Sequence, residues 1–160
     1  METGNEMRIR EIKRMKDKLE KDINMRRNTN KRYKRFYNGL QMLTIGSSSI
    51  ATSLAAATVG TMTNPALVLP LSVTNISLGA VAVVTGILSK TVHKRVKKHQ
   101  KLCMLTRNTL TTINEILSNS LTDGVISDQE FQQVSKVYQE YLWESQSIKS
   151  NFSKVNSYRD

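Results

Sequence analysis

The chain has 160 residues, enough for about one domain, and a formal net charge of +11 at pH 7. Its mean hydropathy of −0.38 is ordinary for a soluble protein, so the average composition alone does not exclude that class. The single cysteine, Cys103, excludes an intrachain disulfide, and nothing in the sequence indicates an oxidising compartment.

The charges are segregated along the chain. Residues 8–35 carry 13 Lys/Arg and four acids, residues 36–89 carry no charge, and residues 90–107 carry seven Lys/Arg and no acid. Residues 108–160 carry four basic and seven acidic residues. A run of 54 uncharged residues is hard to bury within the other 106. The layout predicts an all-α fold class: a transmembrane helical hairpin flanked by a basic N-terminal helix and a C-terminal helical hairpin.

The first predicted element is a basic amphipathic helix over residues 1–38, with a thin apolar stripe formed by Ile9, Ile12, Leu19 and Ile23. Its cations have three interpretations, which the residues leave open. They form a solvated face, they attach to an anionic lipid surface, or they bind nucleic acid. Because the element is polar from its first residue, we expect no signal peptide, and neither terminus matches a common lipidation signal.

Cations and aromatic residues alternate where this helix meets the uncharged run. Such alternation is typical of single-strand nucleic-acid binders and also of the aromatic belt at a bilayer interface; we favour the belt. The residues predicted to lie at the membrane interface or to bind an anionic partner are Lys31, Arg32, Tyr33, Lys34, Arg35, Phe36, Tyr37, Lys94, Arg95, Lys97 and Lys98.

The second predicted element is a two-helix transmembrane hairpin over residues 39–90. A helical crossing needs ~20 residues, and the run has room for crossings at about Leu40–Met62 and Pro65–Lys90. Thr63-Asn64-Pro65 predicts the turn, with proline at the first helical position. Pro70 predicts a kink, or a delayed start of the second helix near Leu71.

Small residues recur in both crossings at four-residue spacing, which lets helix backbones approach closely in lipid. We expect Asn75, the most polar residue of the second crossing, to face the first crossing or another subunit. The residues predicted to pack membrane helices are Ser49, Ser53, Ala57, Gly60, Asn75, Gly79, Ala82 and Gly86. A homo-oligomer follows from this prediction. The alternative is a hairpin buried within a soluble bundle.

Basic residues flank the hairpin on both sides and are absent from its turn. The positive-inside rule therefore predicts a multi-pass membrane protein with both termini cytoplasmic. On this topology the formal glycosylation sequons at Asn75 and Asn151 are unused, since one lies in the membrane and the other in the cytosol.

The third predicted element, residues 91–160, is a cytoplasmic helical hairpin with heptad spacing. Positions 103–117 and 131–155 keep alternating three- and four-residue spacing, as in a coiled coil. Between them, Ser127 and Glu130 have capping-box spacing. The segment around Asp123-Gly124 also resembles half of a calcium-binding EF-hand loop. Because Leu121 would occupy a ligand position, we favour a glycine turn followed by the capping box.

We expect no enzyme active site, metal site or cofactor. His93, His99 and Cys103 are the only candidates for soft-metal ligands, and zinc requires four ligands or three with an open position. Neither histidine has an evident orienting carboxylate for nucleophilic catalysis.

Two segments of the chain resemble known protein families. The run Arg32-Tyr33-Lys34-Arg35-Phe36-Tyr37, entering a Ser/Ala-rich hairpin, resembles the SLATT class of two-pass membrane effectors. Residues 117–131, with Ser120-Leu121-Thr122-Asp123-Gly124-Val125-Ile126-Ser127-Asp128-Gln129-Glu130-Phe131, resemble small proteins of Maverick/Polinton-type elements and adintoviruses, a resemblance that extends over roughly residues 40–150. Together they imply a membrane-active or virion-associated role and carry over no catalytic residue.

The sequence thus predicts a two-pass membrane protein, of a virus or mobile element, that self-associates and permeabilises, remodels or scaffolds an anionic lipid membrane. The alternative is a basic virion-core or interaction protein that binds nucleic acid through residues 8–35 and 90–107.

Overall fold

A computed structural model describes residues 4–60, 65–118, 120 and 124–157. These residues form three helices: α1 (Gly4–Gly60), α2 (Pro65–Ile116) and α3 (Asp128–Ser157). The described residues contain no strand. The prediction of an all-α fold is therefore confirmed.

Helix α1 is 57 residues long and passes without a break from the predicted basic helix into the first predicted crossing. Gly39 lies near that predicted boundary. A glycine inside a helix costs only about 1 kcal/mol relative to alanine, and residues 4–60 contain no proline. One continuous helix is the result.

Helix α2 begins at Pro65, where a proline has no intrahelical hydrogen bond to lose. Pro70 lies inside the helix, so the predicted later start near Leu71 is not what the structure shows. The predicted turn residues Thr63 and Asn64 lie outside the described residues. The helix continues past the last predicted crossing residue to Ile116.

The chain divides into two compact units, and the first consists of Met1–Asn30 and Lys97–Asp160. All three helices contribute to its apolar core. α1 provides Ile12 and Leu19, and α2 and the following turn provide Ile113, Leu117 and Ile126. Val134 and Tyr141 come from α3.

The turn before α3 is closed by polar contacts with the first turns of α1. Asn5 donates to the Gly124 carbonyl at 3.2 Å and accepts from the Ile126 amide at 2.9 Å. Arg8 donates to the Ile126 carbonyl at 2.8 Å and pairs with Asp128. Gly124 has φ +71°, a left-handed conformation that favours glycine.

The predicted capping box is present at the start of α3. The Ser127 amide donates to the Glu130 carboxylate at 2.9 Å, and the Glu130 amide donates to the Ser127 hydroxyl at 3.2 Å. The Ser120 hydroxyl also donates to Glu130. These hydrogen bonds lower the pKa of Glu130, with the bond from Ser120 the largest cause. Glu130 is thus occupied at the helix start, and Asn119, Leu121 and Asp123 of the EF-hand-like segment lie outside the described residues.

The second unit, Lys31–Val96, is an α1–α2 helix pair. Its apolar cluster is small, with Leu40, Val92 and Val96 buried and Tyr33 and Tyr37 packed against them. This cluster lies beside the cationic end of the uncharged run.

Candidate membrane-spanning segments

Two helices are long and apolar enough to cross a membrane by length and composition: α1 and α2. Only 6% of the residues in the apolar stretch of α1 are buried, and 0% of those in the apolar stretch of α2. A core helix of a soluble protein is mostly buried, so these stretches do not have the burial expected of the soluble-bundle alternative.

Beyond the apolar cluster of Leu40, Val92 and Val96, the α1–α2 contact within the second unit includes polar side chains. The Thr44 and Thr85 hydroxyl oxygens are 2.8 Å apart across the helix pair. Ser47, Thr85 and Ser89 are buried, and Ser47 donates to the Leu43 carbonyl of its own helix at 2.7 Å. Hydroxyls that bond backbone carbonyls are satisfied without water, which suits a helix pair in a dry environment.

The large apolar side chains of the same helices point outward. Ile45 is 64% exposed, Leu69 71% and Ile76 74%. Soluble helix pairs bury such residues and expose polar ones. The further exposed members of this set are Met42, Leu43, Ile50, Val59, Leu67, Val73, Val81, Val83, Val84, Ile87 and Leu88. A helix pair surrounded by lipid requires this inverted arrangement.

The residues predicted to pack membrane helices fall into two groups. Asn75, Gly79, Ala82 and Gly86 of α2 are half-buried. The predicted α1 residues, namely Ser49, Ser53, Ala57 and Gly60, are exposed. The structure therefore does not bring the two groups together within one chain. Packing of the α1 group against another subunit stays a prediction.

The predicted interface residues divide in a similar way. Tyr33 and Tyr37 lie in the helix pair: the Arg95 guanidinium is 6.0 Å from the Tyr33 ring centroid, and the His93 and Tyr37 rings are 5.1 Å apart. Lys98, in the first unit, is half-buried and lies 5.9 Å from the Phe152 ring. Arg95 is exposed. The remaining predicted interface residues are exposed as well, namely Lys31, Arg32, Lys34, Arg35, Phe36, Lys94 and Lys97.

A polar cluster in the first unit was not predicted from the sequence. Arg26 is 4% exposed, and its Nη2 donates to Asp22 at 2.9 Å and to Tyr141 and Ser145 at 3.3 Å. The Tyr141 hydroxyl donates to Asp22 at 2.8 Å and lies 3.4 Å from the hydroxyl of Thr106. The cluster therefore joins all three helices.

The surroundings of this cluster favour a charged Asp22 and a neutral Tyr141. Burial alone would raise the pKa of Asp22, but hydrogen bonds from Tyr141 and Arg26 and the positive charges of Arg26 and Lys149 hold it below its ordinary value. Burial raises the pKa of Tyr141, which keeps its hydroxyl protonated as a donor. At neutral pH the cluster contains a carboxylate, a guanidinium and a neutral phenol.

Acid should loosen this cluster only at low pH. Because the folded-state pKa of Asp22 lies below the unfolded value of about 3.9, its stabilisation is complete above that value and is lost as the pH falls through the folded pKa. We expect the thermal midpoint in detergent, followed by circular dichroism, to fall more below about pH 4 in the wild type than in Asp22→Asn. Equal slopes for both proteins would contradict this assignment.

The described residues contain no group of three or more His, Cys, Asp or Glu placed to hold a metal ion. Comparison of the chain with models of protein families, with curated proteins and with solved structures finds no match. The two family resemblances stay predictions.

Proposed function

We propose that the chain is a two-pass membrane protein whose α1 and α2 cross the bilayer through their uncharged segments. The observation that carries the proposal is the inverted helix pair, with Thr44, Ser47 and Thr85 between the helices and the large apolar side chains outside. The exposed cations at both ends of the run favour cytoplasmic placement of both termini. The anionic partner is then the lipid surface on that side.

Self-association is the second part of the proposal. On α2 the exposed face carries large apolar residues such as Val73, Ile76 and Val84, which suit lipid tails. On α1 the exposed residues include large ones such as Ile50, and also Ser49 and Ser53, whose small side chains gain little from lipid. Small residues allow close helix approach and interhelical hydrogen bonds. A second copy of α1 is therefore the best-suited neighbour for this face.

The proposed action is on the membrane itself, by permeabilising, remodelling or scaffolding it. In the permeabilising version, Ser49 and Ser53 line the passage between subunits. The sequence also offers the hydroxyl residues Thr61 and Thr85 for such a lining. Thr85 is less suited, because it is buried in the α1–α2 contact, and Thr61 lies outside the described residues. Origin from a virus or mobile element belongs to this proposal through the sequence resemblance alone.

Dye release from liposomes tests the permeabilising version. Purified protein in vesicles that contain anionic lipid should release trapped dye, and Ser53→Leu should reduce the rate several-fold because it fills the small-residue face. The matched control is Ser77→Leu, since Ser77 is an exposed serine on the other helix. Tight vesicles at high protein occupancy would contradict permeabilisation, and equal loss in both variants would contradict the role of the α1 face.

The alternative proposal is a nucleic-acid-binding protein of a virion core. The exposed cations Lys31, Arg32, Lys34 and Arg35 are the feature that supports it. Phosphate-dominated binding would weaken steeply with salt. The exposed apolar faces of α1 and α2 have no role in this alternative.

A further inference from the structure

A groove of about 270 Å³ opens between α1 and α2 in the second unit, at the end of the uncharged run. Its lining includes Tyr37, Gln41, Ile45, Gly86, Lys90 and His93. Lys90 is the first charged residue after the run. The groove therefore extends from a cationic end into the uncharged segment.

The cationic end of the groove is rich in hydrogen-bond donors. The Tyr37 hydroxyl accepts from Gln41 Nε2 at 2.7 Å, so its own proton is available to donate. The Tyr37 ring is 5.1 Å from the His93 ring, and Lys90 is exposed. No carboxylate is among the described lining residues. Two basic side chains and a phenol around one space fit an anion with several acceptor oxygens.

The rest of the groove is open and is lined by Thr44, Ile45, Gly86 and Ser89, none of which is charged. A Cβ added at Gly86 would meet no atom within 4 Å, so this glycine leaves free space beside α2. Ile45 borders the same space and is 64% exposed. A free phosphate would use only the cationic end, whereas a phospholipid offers an anion joined to an apolar chain.

We propose that this groove binds one anionic phospholipid, with its phosphate at Lys90, His93 and Tyr37 and the start of an acyl chain over Gly86. The inference rests on the proposed membrane function, since it needs the groove to lie at the headgroup level. It adds a defined lipid site to the nonspecific attraction of the cationic flanks.

Native mass spectrometry of the full chain in detergent, titrated with phosphatidic acid or phosphatidylcholine, tests the site. We expect about one retained phosphatidic acid per chain and at least fivefold weaker retention of phosphatidylcholine. Lys90→Gln should weaken phosphatidic acid about fivefold, and Gly86→Leu should abolish its retention by filling the groove. Lys101→Gln and Ala80→Leu remove the same charge and add similar bulk outside the groove, and should change retention less than twofold.

Wild-type retention in Lys90→Gln, provided that circular dichroism shows unchanged helicity, would overturn the site even if Gly86→Leu failed to fold. Displacement of the lipid by equimolar inorganic phosphate would assign the groove to free phosphate instead. Alkaline carbonate extraction, run in parallel, distinguishes failure of the membrane function from failure of the lipid site. Extraction of the wild type would overturn the membrane function, whereas resistance combined with wild-type binding in the variants would overturn only the lipid site.

Discussion

Replacement of Ile76 by arginine should remove most of the protein from the carbonate-resistant membrane fraction. Ile76 is 74% exposed and lies near the middle of the uncharged part of α2. An arginine at the centre of a membrane helix costs about 2.5–3.5 kcal/mol on the insertion scale, which corresponds to roughly a hundredfold shift in the insertion equilibrium. Fractionation of cells expressing wild type and variant, followed by alkaline carbonate, measures the shift.

We expect a different fractionation result from the same substitution if the exposed face of α2 contacts water. An exposed isoleucine replaced by arginine would then leave fractionation unchanged or improve solubility. Thr111→Arg is the control, because Thr111 is exposed on the same helix beyond the uncharged run. Wild-type protein that carbonate and high salt release from membranes would favour the nucleic-acid alternative.

The sequence predicts the helical class because its local signals agree. Pro65 lies at the first position of α2, and Ser127 and Glu130 form the predicted capping box. In both features a side chain acts on backbone groups close to it in sequence. The side chains of the capping box accept hydrogen bonds from nearby amides, and the proline has no amide proton at a position that lacks an intrahelical acceptor. Such signals are complete in the sequence and need no knowledge of neighbouring helices.

The contacting face of α1 could not be chosen by small residues alone. Four-residue spacing selected Ser49 and Ser53, whereas the structure places Thr44 against Thr85. Both faces of α1 carry small residues, and only the partner helix decides which one is covered. A longer pattern was present, because every seventh residue of α1 is buried or half-buried: Ile12, Leu19, Arg26, Tyr33, Leu40, Ser47 and Leu54.

The polar cluster was missed because an arginine in a basic segment is expected to face water. Arg26 follows Ile12 and Leu19 at seven-residue intervals, so its position in the repeat indicated a buried site. Its partners Tyr141 and Ser145 lie more than 110 residues away in sequence. Periodicity could have located the arginine, but not the groups that satisfy it.

Removal of Asp22 should destabilise the first unit more than removal of Arg26, although both belong to one ion pair. Asp22→Ala leaves the Arg26 charge buried without a carboxylate and the Tyr141 donor without its acceptor. Such a loss costs about 3–5 kcal/mol in a fully buried pair. The Asp22 side chain is 37% exposed, so we expect about 2–3 kcal/mol. Amide exchange along α3 in detergent-solubilised full-length protein should then accelerate about 30- to 150-fold.

Arg26→Met should change the same exchange rates by less than about fivefold. Arg26 Nε and Nη1 are buried and have no hydrogen-bond partner in the described structure, so the arginine is only partly satisfied. Methionine fills similar space without a buried charge, and the Tyr141–Asp22 hydrogen bond stays in place. Removal of one partner of an ion pair is costly when the charge left behind stays buried. The Asp22 side chain is 37% exposed, so its carboxylate can be solvated after Arg26 is replaced. If Arg26→Met proved as damaging as Asp22→Ala, the guanidinium would contribute net stability, which would contradict this prediction.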